Sequence, residues 1–283
     1  MRSIKKIHTA ESHPIADLVT YSPLPTRQLQ QIDPFIFLNH HGFQVYSSNN
    51  RGLPFGPHPH RGMETVTFII EGDIMHKDSE GFQSIISAGG IQWMTAGSGL
   101  LHSEVSSPEF KKNGGNLEIL QMWLNLPARL KMTKPHYKGL QKEDIPSIAI
   151  NEKVTLNLIS GDFEGNKGAF ESLTNIFLST ISINSGGESN FSAPNNHNIF
   201  LYLIRGNVSV NGQEITQRQL VEFDNDDDIL SLKANTESLL IFGHAKPFNE
   251  PMVAQGPFVM NTQQEIAEAY RDFQLGRFGI WKD

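Results

Sequence analysis

Most ordered-looking stretches in this 283-residue chain are short, apolar or β-branched, and closed by Gly, Asn, Asp or Pro. The runs at 65–71, 82–87, 90–94, 117–126, 154–160, 175–183, 199–204 and 238–242 have this form. Such runs are strands ended by turns, and a chain built from many of them folds as an all-β sandwich or barrel. The 24 glycines and 15 prolines supply the turns. The exception lies near the C-terminus, where Thr262 and Glu265 can form a capping box ahead of Ile266, Ala269, Tyr270 and Phe273. That spacing predicts one short helix, with Gly276 as its stop.

A chain of this length forms one large domain or two of about 140 residues. Two observations favour two. Between Pro127 and Pro146 the sequence turns Lys- and Pro-rich (Lys131, Lys134, Pro135, Lys138, Lys142), which reads as a soluble linker. The segment TVTFIIEGD at 65–73 is echoed by IFLYLIRGN at 199–207, about half a chain away, as in a duplicated unit. The expected domains are therefore 1–140 and 141–283. Lys plus Arg is 23 and Asp plus Glu is 30, so the formal charge is 23 − 30 = −7. This argues against direct nucleic-acid or anionic-membrane binding. No run reaches the roughly 18 apolar residues of a membrane-crossing helix. The basic N-terminal residues lead into no apolar signal segment, so a cytoplasmic protein is expected.

With no cysteine in the chain, any metal must be held by His, Asp or Glu. In Gly56-Pro57-His58-Pro59-His60-Arg61-Gly62 two histidines stand at alternate positions, and in extended backbone alternate residues share a face. The same spacing in His102-Ser103-Glu104 puts an imidazole and a carboxylate together. Brought across a barrel, these residues give three nitrogens and one carboxylate around one cation. Such a set suits Fe(II), Mn(II), Ni(II), Cu(II) or Zn(II) and is too nitrogen-rich for Ca(II) or Mg(II). Four ligands on an octahedral ion leave two positions for substrate and a second small molecule. The plain alternative is an exposed His pair in a loop. Glu64 is a rival carboxylate, with a salt bridge to Arg61 or a hydrogen bond to a ligand His as its other roles. Gly97-Ser98-Gly99 and Asp224 to Asp228 read as turns, and Phe55, Phe68, Met94 and Trp123 as ordinary core.

Gly52, His58, His60 and Glu64 resemble the first motif of the cupin superfamily, although Gly72 falls one place late. Gly99 and His102 match part of the second motif. The departures are similar to those of the pirin family. The carrying segments are DPFIFL (33–38), PHPHRGMETVT (57–67), QWMTAGSG (92–99), HSE (102–104), QMWLNLP (121–127), NEP (249–251) and GPFVMNT (256–262). This resemblance implies an all-β bicupin: two antiparallel, jelly-roll-like barrels face to face, with a short C-terminal helix. It implies one metal in the N-terminal barrel, held by His58, His60, His102 and Glu104, with Glu64 outside the ligand set. The second half has Asn195-Asn196-His197-Asn198 near where His-x-His would lie but no matching His-x-Glu, so no metal is expected there. Where many relatives have Asp-His-Phe-Gly, this chain has Asn39-His40-His41-Gly42, and a capping or exposed role is expected for both histidines.

The resemblance further implies two activities. One is a quercetin 2,3-dioxygenase-type oxidoreductase that opens a flavonol with O2. There Glu104 takes the 3-hydroxyl proton while neutral His58, His60 and His102 hold Fe(II), with Mn, Ni, Cu, Co or Zn as alternatives. The other is a metal- and redox-responsive regulator that binds a transcription factor or a metabolic enzyme.

Overall fold

The strands pair antiparallel and sort into two units, in the computed structural model of the chain, which describes residues 1–281. Each unit carries a seven-stranded and a four-stranded sheet. In the first unit the seven strands run His136–Leu140, Ile91–Thr95, Met63–Glu71, Gly115–Asn125, Phe35–Tyr46, Thr20–Leu24 and Glu11–Ser12. The four run Phe55–His60, Leu100–Val105, Asp73–Asp78 and Gln83–Ser87. In the second unit the seven run Ile4–Thr9, Gln219–Phe223, Asn198–Arg205, Ser238–Ala245, Phe177–Ile183, Val154–Ser160 and Ser147–Asn151. The four run Glu188–Ser192, Ile229–Ala234, Asn207–Val210 and Gln213–Thr216. The two repeat segments begin on the third strand of their respective seven-stranded sheets. The expected all-β, two-barrel architecture is the one the chain adopts.

The division along the chain differs from a cut near 140. One unit takes Ser12–Tyr21, Ile36–Glu143 and the chain from Phe248 on, while the other takes Met1–Glu11, Ser22–Phe35 and Asp144–Pro247. The ends are exchanged: Ile4–Thr9 pairs with Gln219–Phe223, and Phe258, just ahead of the C-terminal helix Gln263–Gln274, bridges to Arg61. Such pairing spans more than half the chain and leaves no local mark in the sequence. The helix has the expected capping box, with Thr262 accepting from the Glu265 N–H and Glu265 accepting in return. A second, shorter helix, Pro108–Asn113, is capped by Ser107.

Nor is 127–146 a free linker. It holds the strand His136–Leu140, paired with Ile91–Thr95, between two short 3-10 turns. As an edge strand it needs only one inward side chain, Tyr137, which explains its low apolar content. The acidic run at 224–228 is likewise more than a solvated turn, because it seats the N-terminus. Arg2 is fully buried and donates to the Asp224 carbonyl at 2.7 Å, to the Pro194 and His197 carbonyls, and to Asn225 Oδ1. Ser3 N–H donates to Asp226 Oδ1 at 2.9 Å.

The interiors differ in kind. The second unit is packed with apolar side chains, among them Leu156, Ile181, Phe191, Leu201, Leu230 and Phe242. In the first, an apolar cluster around Ile69, Ile74, Leu117 and Ile119 fills only part of the space, and polar residues line the rest. The contrast shows at matched strands: His58 lies opposite His102 in one unit, and Phe191 opposite Leu230 in the other. Among the described residues no helix is long and apolar enough to cross a membrane.

Candidate metal centre

Two neighbouring strands of the four-stranded sheet build the site. Phe55–His60 and Leu100–Val105 pair antiparallel, which sets His58 directly across from His102, and alternation brings His60 and Glu104 to the same inward side. The turn after His60 is held open by Gly62, whose φ is +81° and whose place a Cβ could not share, since it would stand 2.0 Å from the Val259 carbonyl oxygen.

Three of the four sequence-predicted ligands converge. One ring nitrogen each from His58, His60 and His102 lies within 4.8 Å of the others, and the His58 and His102 Nε2 atoms are 3.0 Å apart. Two nitrogens each about 2.1 Å from one ion and at right angles stand about 3 Å apart, so this spacing fits a shared cation. The opposite nitrogens set the tautomers. His58 Nδ1 is 2.7 Å from the Gly56 carbonyl and His60 Nδ1 is 3.2 Å from the Pro257 carbonyl, so both rings donate there and leave Nε2 bare. His60 Nε2 is buried with no hydrogen-bond partner. Burial, with His58 beside it, pushes His60 down to about 3, and burial with its imidazole neighbours holds His102 well below the ordinary value. Both are neutral near pH 7, the form that binds a metal. The three converging ring nitrogens fit a divalent transition metal.

Glu104 stands beside this triad, its Oε2 4.0 Å from His102 Nε2. Its oxygens are engaged by donors: Oε1 accepts from Thr67 Oγ1 at 3.1 Å and from Gln92 Nε2, and Oε2 accepts from Gln121 Nε2. Each amide is oriented in turn, since Tyr137 O–H donates to Gln92 Oε1 and Trp123 Nε1–H to Gln121 Oε1, both at 3.1 Å. The amide N–H groups are thereby turned toward the carboxylate.

Glu64 lies apart from the triad. On Met63–Glu71 the inward residues are Thr67 and Ile69, so parity turns Glu64 to the opposite face, where Thr95 Oγ1 donates to it at 2.6 Å. Burial pushes its carboxyl up to about 6. Arg61 pairs with Asp272 at 2.9 Å rather than with Glu64, and its guanidinium lies 4.6 Å from the Phe278 ring centroid. His40 and His41, expected at a cap or in solvent, are both buried. His40 Nε2 is 2.9 Å from Glu118 Oε1, and His41 Nδ1 is 2.9 Å from Thr20 Oγ1. Trp123, read as core, is half-buried against the site, 5.2 Å from the His60 ring and stacked on Phe37 at 4.4 Å. His197 pairs with His244 in the second unit, Nδ1 to Nδ1 at 3.0 Å.

Lys131 is the largest departure from expectation. Read as a linker lysine, it is buried and donates to the Gly62 carbonyl, Asn125 Oδ1 and the Val259 carbonyl at 3.0, 2.8 and 2.9 Å. It ties the turn after His60 to the strand Phe258–Met260, next to the Pro257 carbonyl that orients His60. Burial pulls its ammonium down to about 8. Lys131→Met keeps the apolar stem and strands three buried acceptors. We expect a loss of about 3 kcal/mol or more in urea unfolding, with an unchanged denaturant slope.

The sequence pattern of the family Pirin matches residues 17–124, and that of the Pirin C-terminal cupin domain matches residues 178–279. The chain belongs to the pirin family. Pirin-1 of Arabidopsis thaliana is 38% identical over 258 residues, covering 88% of this chain and 84% of that protein. A pirin-like protein of Caulobacter vibrioides is 35% identical over 257 residues, covering 90% and 91%. The crystal structure of quercetin 2,3-dioxygenase from Acinetobacter baumannii superposes with a TM-score of 0.93 at 34% identity, over 99% of each chain.

Several supports in this pirin escape a search for ligand motifs. Gln92 and Gln121 had a signal, each being a polar residue flanked on both sides by large apolar ones. His76-Lys77-Asp78 had a stronger one: it repeats the alternate spacing of His102-Ser103-Glu104.

Proposed function

We propose that this pirin is a mononuclear metal-dependent dioxygenase of the quercetin 2,3-dioxygenase type, opening a flavonol with O2 and releasing carbon monoxide. The carrying observation is the convergence of three imidazole nitrogens beside a carboxylate held by fixed donors. His58, His60, His102 and Glu104 form the ligand set. A divalent transition metal there, Fe(II) in this reading, would supply Lewis acidity to the flavonol 3-hydroxyl and a site for O2. The histidines stay neutral and keep their lone pairs for the ion. Glu104 takes the 3-hydroxyl proton, and its amide donors hold the carboxylate in place for the transfer. Trp123, stacked on Phe37, offers a flat apolar wall on which an aromatic substrate can rest. Similarity to the Acinetobacter baumannii enzyme supports the reading.

The test is anaerobic loading with Fe(II), followed by quercetin and air. Loss of flavonol absorbance should accompany consumption of one O2 and release of one carbon monoxide per flavonol. Protein that holds iron yet neither consumes O2 nor bleaches the flavonol would overturn the enzyme reading in favour of a metal-responsive binding protein.

A further inference from the structure

A fourth imidazole lies against the triad. The strand Asp73–Asp78 pairs with Leu100–Val105 so that Asp78 faces His102 and His76 faces Glu104. His76 is fully buried and Asp78 nearly so. The ring of His76 is 5.5 Å from that of His102, centroid to centroid, at 51°. Its other face stacks on Tyr137, 3.8 Å away and 8° from parallel, which stops it turning.

Hydrogen bonding sets the direction of this array. Asp78 Oδ1 accepts from the Glu80 and Phe82 backbone N–H groups, both at 3.0 Å, so the carboxylate acts as an acceptor. Its Oδ2 lies 3.0 Å from His76 Nε2, which therefore carries the proton and leaves Nδ1 as a bare acceptor. The logic is reversed at His102. Its Nε2 points at the triad and must be bare whenever it binds a metal, so in that state Nδ1 carries the proton as a donor. Both Nδ1 atoms are buried and have no hydrogen-bond partner. An unmet buried donor or acceptor costs about 1–3 kcal/mol, and here one of each lies on adjacent rings.

We propose that His76 and Asp78 are positioning residues for His102: Asp78 fixes the tautomer of His76, whose Nδ1 receives the Nδ1–H of the metal-bound His102 through one water. The inference rests on the metal-site reading and deepens it. An outer acceptor of this kind fixes the ring of a metal-bound histidine and raises its basicity, and removing one typically weakens metal binding about 10- to 100-fold. Tyr137 serves both arms of the site, packing on His76 while its hydroxyl orients Gln92 toward Glu104.

Asp78→Asn is the decisive variant. Its carboxamide oxygen still accepts from Glu80 and Phe82, but its NH2 faces His76 Nε2 and drives that ring to the other tautomer. Two Nδ1–H donors then oppose each other. Cobalt(II) titration of the full chain should show 10- to 100-fold weaker binding, with melting temperature close to wild type. Imidazole 15N spectra of the metal-free protein should show His76 protonated at Nε2 in wild type and at Nδ1 in the variant. His76→Asn, whose Oδ1 replaces the Nδ1 acceptor, should bind cobalt more tightly than His76→Leu. Equal cobalt affinity in wild type and Asp78→Asn, or an Nδ1-protonated His76 in wild type, overturns the inference and leaves the metal site standing. Wild-type protein that takes up no cobalt ends both.

Discussion

His102→Ala is expected to weaken divalent-metal binding by about 100- to 1,000-fold. The figure is the share of one ligand in the proposed set of four, where a total binding energy of about 10–16 kcal/mol gives about 2.5–4 kcal/mol each. His102 is central among the imidazoles: its ring lies 4.4 Å from that of His58 and 4.9 Å from that of His60. Without it, the pair that stood 3.0 Å apart loses one member, and His60 is left with His58 alone. The substitution should spare the fold of the metal-free protein, because the removed ring is neutral and its loss leaves no buried charge unpaired. Metal content after dialysis and a competitive cobalt titration measure the effect. Glu64→Ala is the control, since Glu64 points to the other face and should leave metal content unchanged. Full metal content in both His58→Ala and His102→Ala would remove the site from these residues.

The parts of this molecule that were legible in its sequence are those governed by short-range periodicity. Alternation along His58-Pro59-His60 and His102-Ser103-Glu104 predicts which side chains share a face, and strand pairing does the rest by setting His58 opposite His102. The runs at 65–71 and 199–204 read as strands because turn residues close them, and both lie at the same place in their sheets. What stayed hidden depends on contacts between distant segments. Nothing near Lys131 says that Gly62 and Val259 will bring it two carbonyls, so a lysine among prolines reads as solvent-exposed. Arg2 looks like part of a basic tail until Asp224, Pro194 and His197 surround it with carbonyl oxygens. His40 and His41 follow the same rule, each buried by a partner on another strand, Glu118 and Thr20. Glu64 shows the converse: its motif spacing suits a ligand, and only strand parity turns it away.

The metal-free protein is expected to lose about 5 kcal/mol of stability between pH 6.5 and pH 5. Burial pushes His41, His60 and His244 down to about 3 in the folded state, against about 6.5 in the unfolded chain. Below pH 6.5 the unfolded chain therefore binds protons that the folded chain refuses, and stability falls as pH falls, by about 1.4 kcal/mol per pH unit for each such histidine. Since the slope is only half developed at pH 6.5, three of them give about 5 kcal/mol over this window, and His102 adds in the same direction. Glu64 opposes them. Its folded carboxyl is raised to about 6 from an ordinary 4.5, so the folded state gains protons, and stability, as pH drops through that range. One carboxyl offsets about 1–2 kcal/mol, and the histidines win. Urea unfolding at pH 8, 6.5 and 5 should show midpoints that fall steeply only in the last step. His244→Phe, a ring able to keep the stack on Phe177 at 4.7 Å, should remove about a third of the three-histidine slope. A midpoint that is flat from pH 6.5 to 5 would mean that these imidazoles take up protons without leaving the fold.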